Sequence, residues 1–520
     1  MKTYPLPLLA AVLLAACQVH MPTLDEVGPG AMPAEIAPIE GAPFDMPAFS
    51  RPVFPDLTVD IGQRGAQPDS LVTDIINQAI RDVHHAGGGT VLIPAGHFFS
   101  GRIELLSDVN LHLDAGAQLE FSARQADYQP PVFSRYEGIE VMSPGAFIYA
   151  CHQSHIALTG NGTIVGPPQD AEVRQLPPDG YAIESLADTP VDQRIADGKD
   201  GHPFFRPMTF SPTCCTDVFV EGIHVSQSAF WNIVPVYCQH VVIRGITVET
   251  VGVLSGDGID IESSTDVLIE YCSLSCGDDC FTLKAGRGYD GLRVGRPTER
   301  VVVRHCLARE GHGGLTCGSE TAGQVHHVYL HDCVFAGTRS GLRFKTRRTR
   351  AGGIHHVLCR RVSMTNVGYA IEFDLLGSAR WMGQLASRDT PQPVGQLTPV
   401  VRDICISHFN VDQAEHLLTL NGIPEMPCTN LRIEHGHITA QGLIPALNDA
   451  DSITFSHLHI TTTDDSQIRI TDSRHVRFDH VHFDVPDAEP HFDIQGSRST
   501  DIVCNGVGMK KEERGLQAVR

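Results

Sequence analysis

One phrase recurs through the chain from about residue 150: a polar pair followed by four or five alternating residues. It appears as SHIALTG, TDVFVEG, QHVVIRG, TDVLIEY, ERVVVRH, HHVYLHD, HHVLCRR, RDICISH, TNLRIEH, DSITFSH, RHVRFDH and TDIVCNG. Between first apolar residues, Val218 to Val241 is 23 residues, Val241 to Val267 is 26, Leu431 to Ile453 is 22 and Ile453 to Val476 is 23. A period of this length with strand alternation and no helix inside it predicts an all-β solenoid, a parallel β-helix whose coils share one apolar interior. Longer intervals, 34 between Val267 and Val301 and 47 between Val357 and Ile404, mark loops inserted between coils. Residues 167–203, rich in Pro, Asp and Gly, form another. An antiparallel sandwich would need Asn-Gly or Asp-Gly hairpin turns at regular spacing, and these are missing.

A solenoid needs its open end covered. Leu71, Ile75, Ile76, Ala79, Ile80 and Val83 mark one helix face that starts at Asp69 or Ser70 and stops at Gly87-Gly88-Gly89. This short N-terminal helix is the expected cap. Residues 18–55, rich in Pro, Ala, Gly and Glu without periodicity, read as a flexible tether. The β-helix domain then spans 56–508, and 509–520 is a charged tail.

Ahead of the tether, Lys2 precedes a short apolar run from Leu6 to Ala16 that is too short to span a bilayer. It reads as an export signal over 1–17. The ending Leu14-Ala15-Ala16-Cys17 resembles a bacterial lipoprotein signal, with Cys17 as the lipidated residue. The expected location is the bacterial cell envelope, lipid-anchored at the outer membrane or in the periplasm, or the exterior; no other membrane contact is expected. Of the 15 cysteines, Cys272, Cys306 and Cys333 each fall five residues after an equivalent repeat position. They read as a stacked column of small buried side chains, not a disulfide framework.

The net charge of −22 argues against a nucleic-acid partner. It does not exclude an acidic ligand, because the basic residues are concentrated: 13 Lys or Arg against 5 Asp or Glu lie between Lys284 and Arg350. Immediately before and within that stretch stand Asp257, Asp278, Asp279 and His312, and at its end Arg343 and Lys345. Asp257 and Asp278 are 21 residues apart, about one coil, so they are expected side by side on neighbouring strands roughly 4.8 Å apart. Gly277 would allow an irregular backbone that turns both Asp278 and Asp279 outward. Arg343 and Lys345 share one strand face, with Phe344 inward. Arg347, Arg348 and Arg350 either extend the cleft or form a charged loop, and the loop is the slightly favoured reading. Acidic residues beside a basic clamp suit hydrolysis of an acidic sugar polymer.

The triplets Ser255-Gly256-Asp257, Gly277-Asp278-Asp279, Gly311-His312-Gly313 and Arg343-Phe344-Lys345 resemble, in order, the four motifs of glycoside hydrolase family 28, the polygalacturonase family. The first departs from the family's Asn-Thr-Asp. The resemblance extends over AGGGTVLIPAGHFFSGRIEL, SRYEGIE and FWNIVPVYC. It implies a right-handed β-helix and inverting hydrolysis of α-1,4-galacturonosyl linkages in pectin, polygalacturonate or its oligosaccharides. Asp278 would be the general acid, and Asp257 and Asp279 would activate water. His312 would hold the acid, and Arg343 and Lys345 would bind the uronate carboxylate. Inversion would separate acid and base by about 6.5–9.5 Å. No metal or other cofactor is required by this route, and a monomer is expected. The insertions at 167–203 and 284–300 suggest a cleft blocked at one end and exo action. The competing readings are a rhamnogalacturonan-type hydrolase of the same family, a pectate lyase-like enzyme, and a non-catalytic carbohydrate-binding β-helix.

Overall fold

The computed structural model describes residues 19–176 and 183–509. The export signal, Cys17 and the tail beyond Met509 lie outside the described residues. The chain forms a parallel β-helix of three sheets, wound in the right-handed sense that parallel crossovers take. The first sheet stacks the first half of each recurring phrase, as in Val218↔Val241, Val241↔Val267 and Val267↔Val301. The third sheet carries β1 (Ile259–Glu262), β2 (Phe281–Lys284), β3 (Gly311–Cys317) and β4 (Thr338–Lys345). From residue 325 onward strands run through the corners, so Gly353–Asp374 and Val400–Asn421 are each one long strand.

The polar letters of the phrase are its bends. The second residue of successive phrases (Asp217, His240, Asp266, Arg300, His327, His356, Asp403) lies at φ between 50° and 58°. The last residue (Tyr271, His305, Asp332, Arg361, His408, His435) lies at φ between 51° and 56°. Asp, Asn and His tolerate this left-handed region better than other side chains bearing a Cβ. Eleven of the 27 histidines take this conformation, so the corners account for part of the abundance of histidine. Cys272, Cys306 and Cys333 are buried one above another. Each thiol donates to the carbonyl two residues earlier, at 3.4, 3.2 and 3.3 Å.

Helix α1 (Thr73–His85) buries Ile76, Ala79, Ile80 and Val83 against the first coil. It begins later than the apolar pattern suggested. Asp69 is left-handed, and Leu71 is exposed and bridges Phe99 as extended chain. The backbone N–H of Gly101 donates to Thr73 Oγ1 at 2.7 Å, tying the helix start to the solenoid.

The segment read as a flexible tether is instead a strap laid along the outside of the first sheet. Ile36, Phe49 and Phe54 pack on Ala157, Phe219 and Val242; Ile39, Phe44 and Met46 pack on Leu268, Val302 and Tyr329. Arg244 Nη2 donates to the Pro33 carbonyl at 2.7 Å and Arg304 Nη2 to the Ala37 carbonyl at 2.6 Å. Proline-rich extended chain has unpaired carbonyls, and the outward arginines of the coils take them. Composition alone could not show this, because the strap's partners lie on distant coils.

Candidate active site

The four site strands stack in register: Ile259↔Phe281, Phe281↔Leu315, Leu315↔Leu342. Their inward residues close the interior, with Phe344 stacked on Phe373 at 4.8 Å. Their outward residues form two rows. Asp260, Thr282, Thr316 and Arg343 occupy one; Glu262 and Lys284 face out on the other, as does Lys345. Just before β1 and β2 the chain delivers Asp257 and the pair Asp278–Asp279. Gly258 N–H donates to the Asp279 carbonyl and His312 N–H to the Asp278 carbonyl, both at 2.9 Å.

One carboxylate oxygen from each of Asp257, Asp278 and Asp279 lies within 4.8 Å of the other two. This is closer than the 6.5–9.5 Å expected between acid and base of an inverting pair. The three differ in access, however. Side-chain exposure is 25% for Asp278, 4% for Asp257 and 0% for Asp279. Gly277 makes this possible by close approach, not by an unusual dihedral: a Cβ there would sit 2.0 Å from the Val253 carbonyl oxygen. The glycines around His312 serve likewise, since a Cβ on Gly313 would lie 3.0 Å from Asp279 Oδ1.

Each aspartate has its own electrostatic partner. Asp278 Oδ1 lies 2.9 Å from His312 Nδ1, and that hydrogen bond, outweighing burial, raises the His312 pKa above its usual value. Burial would raise the Asp279 pKa. Lys345 Nζ at 2.6 Å and Arg343 Nη1 at 3.2 Å overcome this and hold it well below the carboxylate range. Arg343 Nε also lies 2.9 Å from Glu372. The Arg-Lys pair is thus already in contact with carboxylates. Asp257 is pushed the other way, by burial first and then by Asp260 and Asp278, against the pull of Lys284. Burial likewise raises its neighbour Asp260, whose pKa is pushed up to about 8.

Lys284 is the residue that sequence reasoning missed. Its ammonium is buried 3.5 Å from Asp257, 3.4 Å from Asp260 and 3.7 Å from Glu320, with the Trp231 ring centroid 4.5 Å away. The signal was available: FTLK and LRFK place a lysine at the same outward step after an inward residue. Asn232 was missed too; its side-chain amide donates to the Asp257 carbonyl at 2.7 Å, one coil below. Ser255, at φ 52°, and Gly256 give the backbone its turn into Asp257; Gly256 lies against Val253 and its carbonyl accepts from Thr250 Oγ1 at 3.0 Å.

The surroundings are asymmetric. Toward the earlier coils, a hairpin of Val132–Tyr136 and Ile139–Ser143 packs Tyr136, Ile139 and Val141 with Phe205, Phe230 and Trp231. Arg287 pairs with Glu137 and Glu184, and Arg350 with Glu184, locking this wall to the inserted loops. The arginines read as a charged loop are in fact paired and largely buried: Arg347 with Asp374, Arg348 with Glu425 and Arg350 with Glu184. Toward the later coils a groove of about 620 Å³, lined by Gly277, Gly311, His312, Tyr369 and Glu415, continues past Asn366 to Gln413 and Gln441.

Comparison with known proteins gives a consistent result. The model described as "Glycosyl hydrolases family 28" matches residues 198–379. A Vitis vinifera protein named as a probable polygalacturonase is 26% identical over 72% of this chain and 72% of its own. The exo-poly-alpha-D-galacturonosidase of Dickeya chrysanthemi is 25% identical over 59% of this chain and 55% of its own. The hyperthermoactive exopolygalacturonase of Thermotoga maritima superposes with a TM-score of 0.70 at 28% identity, covering 79% of this chain and 93% of that one.

Proposed function

The chain belongs to glycosyl hydrolase family 28, and from that premise we propose that it is an inverting, exo-acting hydrolase of α-1,4-linked galacturonate. The observation that carries this reading is the meeting of three carboxylates, His312 and the Arg343–Lys345 pair beside a groove that His312 lines. Asp278, the most accessible of the three, delivers a proton to the leaving glycosidic oxygen. His312, with Nδ1 2.9 Å from Asp278 Oδ1, then hydrogen-bonds the carboxylate that remains. Asp279, held ionised by Lys345 and Arg343, accepts a proton from the attacking water, and Asp257, whose pKa burial raises, is placed beside it to orient that water. Arg343 and Lys345 face the uronate carboxylate, the first as a fork and the second as a point charge.

The short separation of the carboxylates favours a second reading, retention through a glycosyl-enzyme, for which about 5–5.5 Å is usual. Burial argues against it. The oxygens of Asp257 and Asp279 are nearly sealed, which leaves no room for an anomeric carbon to bond to either. The wall supports attack from a chain end, because a polymer could extend only along the groove toward the later coils.

One experiment separates these possibilities. On polygalacturonate, the first products are expected to be one short saccharide of fixed length, released as the β anomer and observed by proton NMR before mutarotation. A ladder of intermediate lengths would remove the exo assignment, and an α anomer would remove inversion. A product with ultraviolet absorbance from a C4–C5 double bond would mean a lyase. The Leu14-Ala15-Ala16-Cys17 ending supports export and lipid attachment at Cys17. Radiolabelled palmitate should be incorporated by the wild type and not by Cys17→Ser; equal labelling would refute it.

A further inference from the structure

At the corner entering the first sheet, two successive coils each carry a pair of histidines, His326-His327 and His355-His356. On a straight strand adjacent side chains face opposite ways. Here the second residue of each pair is left-handed, at φ 52° for His327 and 53° for His356, and its ring swings back beside its neighbour's. The Nδ1 atoms of His326 and His327 come to 2.7 Å, and those of His355 and His356 to 2.6 Å. The rings also stack from coil to coil, at 4.8 Å for His326 on His355 and 5.2 Å for His327 on His356. In the coil below, Glu299 is in register with His326, its Oε2 3.7 Å from His326 Nδ1. One donor atom from each of Glu299, His326 and His327 lies within 4.8 Å of the others. None of these residues lines the groove.

We infer that Glu299, His326 and His327 form a binding site for one divalent transition-metal ion of the zinc and copper type. Two imidazole nitrogens and one carboxylate oxygen are the donor set such ions take, and a single carboxylate is too little for calcium or magnesium. Metal–nitrogen bonds of about 2.0–2.1 Å place cis nitrogens about 3.0–3.4 Å apart, so the histidine pair has only to part by a few tenths of an ångström. Arg300 is shared between Asp266, 2.7 Å from its Nε, and Glu299 Oε1, 3.0 Å from its Nη1, which leaves Glu299 Oε2 for the ion. A bound ion would clamp two adjacent coils. It would also fix His327, on whose edge the strap residue Phe44 packs at 5.6 Å.

The test is calorimetric titration of the full chain with Zn(II) and with Cu(II), alongside thermal melting and the copper electron paramagnetic resonance spectrum. The wild type is expected to bind one equivalent, to melt higher with Zn(II), and to show nitrogen hyperfine splitting from two imidazoles. The pair His326→Ala with His327→Ala is expected to lose affinity by more than about a hundredfold, beyond what loss of an outer partner costs. Glu299→Gln, which keeps the side-chain shape, should weaken binding by about tenfold or more if the histidine variant does not fold. Retention of the one-equivalent isotherm in these variants would overturn the site and point to the histidine columns or the aspartate trio. Absence of any isotherm from the wild type would overturn it outright.

Discussion

Asp278→Asn is expected to lower kcat on polygalacturonate by about 10²–10⁴-fold, the share usually carried by a positioned proton donor. An amide keeps the shape of the carboxyl and can still meet His312, but it cannot release a proton to a glycosidic oxygen. KM should change little, since Arg343, Lys345 and the groove are untouched. Stability should change little as well. The Asp278 side chain is a quarter exposed, and what it gives the fold is chiefly its backbone carbonyl, which accepts from His312 N–H at 2.9 Å. The contrast is Asp279→Asn, which strips both Lys345 and Arg343 of a buried partner and should unsettle the fold together with the chemistry. Steady-state kinetics with a melting curve for each variant decides the matter. Activity of Asp278→Asn within a factor of about ten of wild type would end the general-acid assignment.

Lys284→Met should be the most destabilising single change in the site. Its ammonium is the shared partner of Asp257, Asp260 and Glu320, all buried. Removing one member of a buried ionic group costs about 3–5 kcal/mol, because the remaining charges are left without compensation. The loss should depend on pH, and its sign follows from linkage. Asp260 has its folded pKa raised from 3.8 to about 8, so the folded state binds more protons than the unfolded one across that window. Its contribution therefore weakens as pH rises. Lys284 is the group that restrains this rise, and without it the window reaches further upward. Urea midpoints of the variant should approach wild type near about pH 4 and fall furthest behind near about pH 8. A deficit of equal size at both would mean that lost packing against Trp231, not uncompensated charge, is responsible.

The solenoid was legible because its rule is local. Alternation within a phrase sets which side chains enter the interior, and the 22- to 26-residue spacing sets the coil. The corners were in the same phrase, written in its Asp and His letters, though only the backbone shows them to be left-handed. The site was legible as far as register carried it: Asp257, Asp278, Asp279, His312, Arg343 and Lys345 do converge. Lys284 was not, because a lysine on a strand reads as solvated until the wall over it is known, and that wall is built by insertions at 132–143 and 183–205. The proton's position was not legible either. What raises the Asp257 pKa is burial first and then Asp260, which carries no motif. Nor could spacing show that Asp257 and Asp279 are sealed while Asp278 is open, which is what bears on stereochemistry.

The strap has one last consequence. Its first residues lie against the coil of Ser363, whose hydroxyl donates to the Pro22 carbonyl at 2.8 Å, and only at Leu57 does the chain reach the solenoid's own beginning. Anything fastened ahead of residue 19 would therefore grip the rod near its waist. The groove is not far from that point, since Ser363 and the groove residues Asn366 and Tyr369 belong to the same strand, Gly353–Asp374.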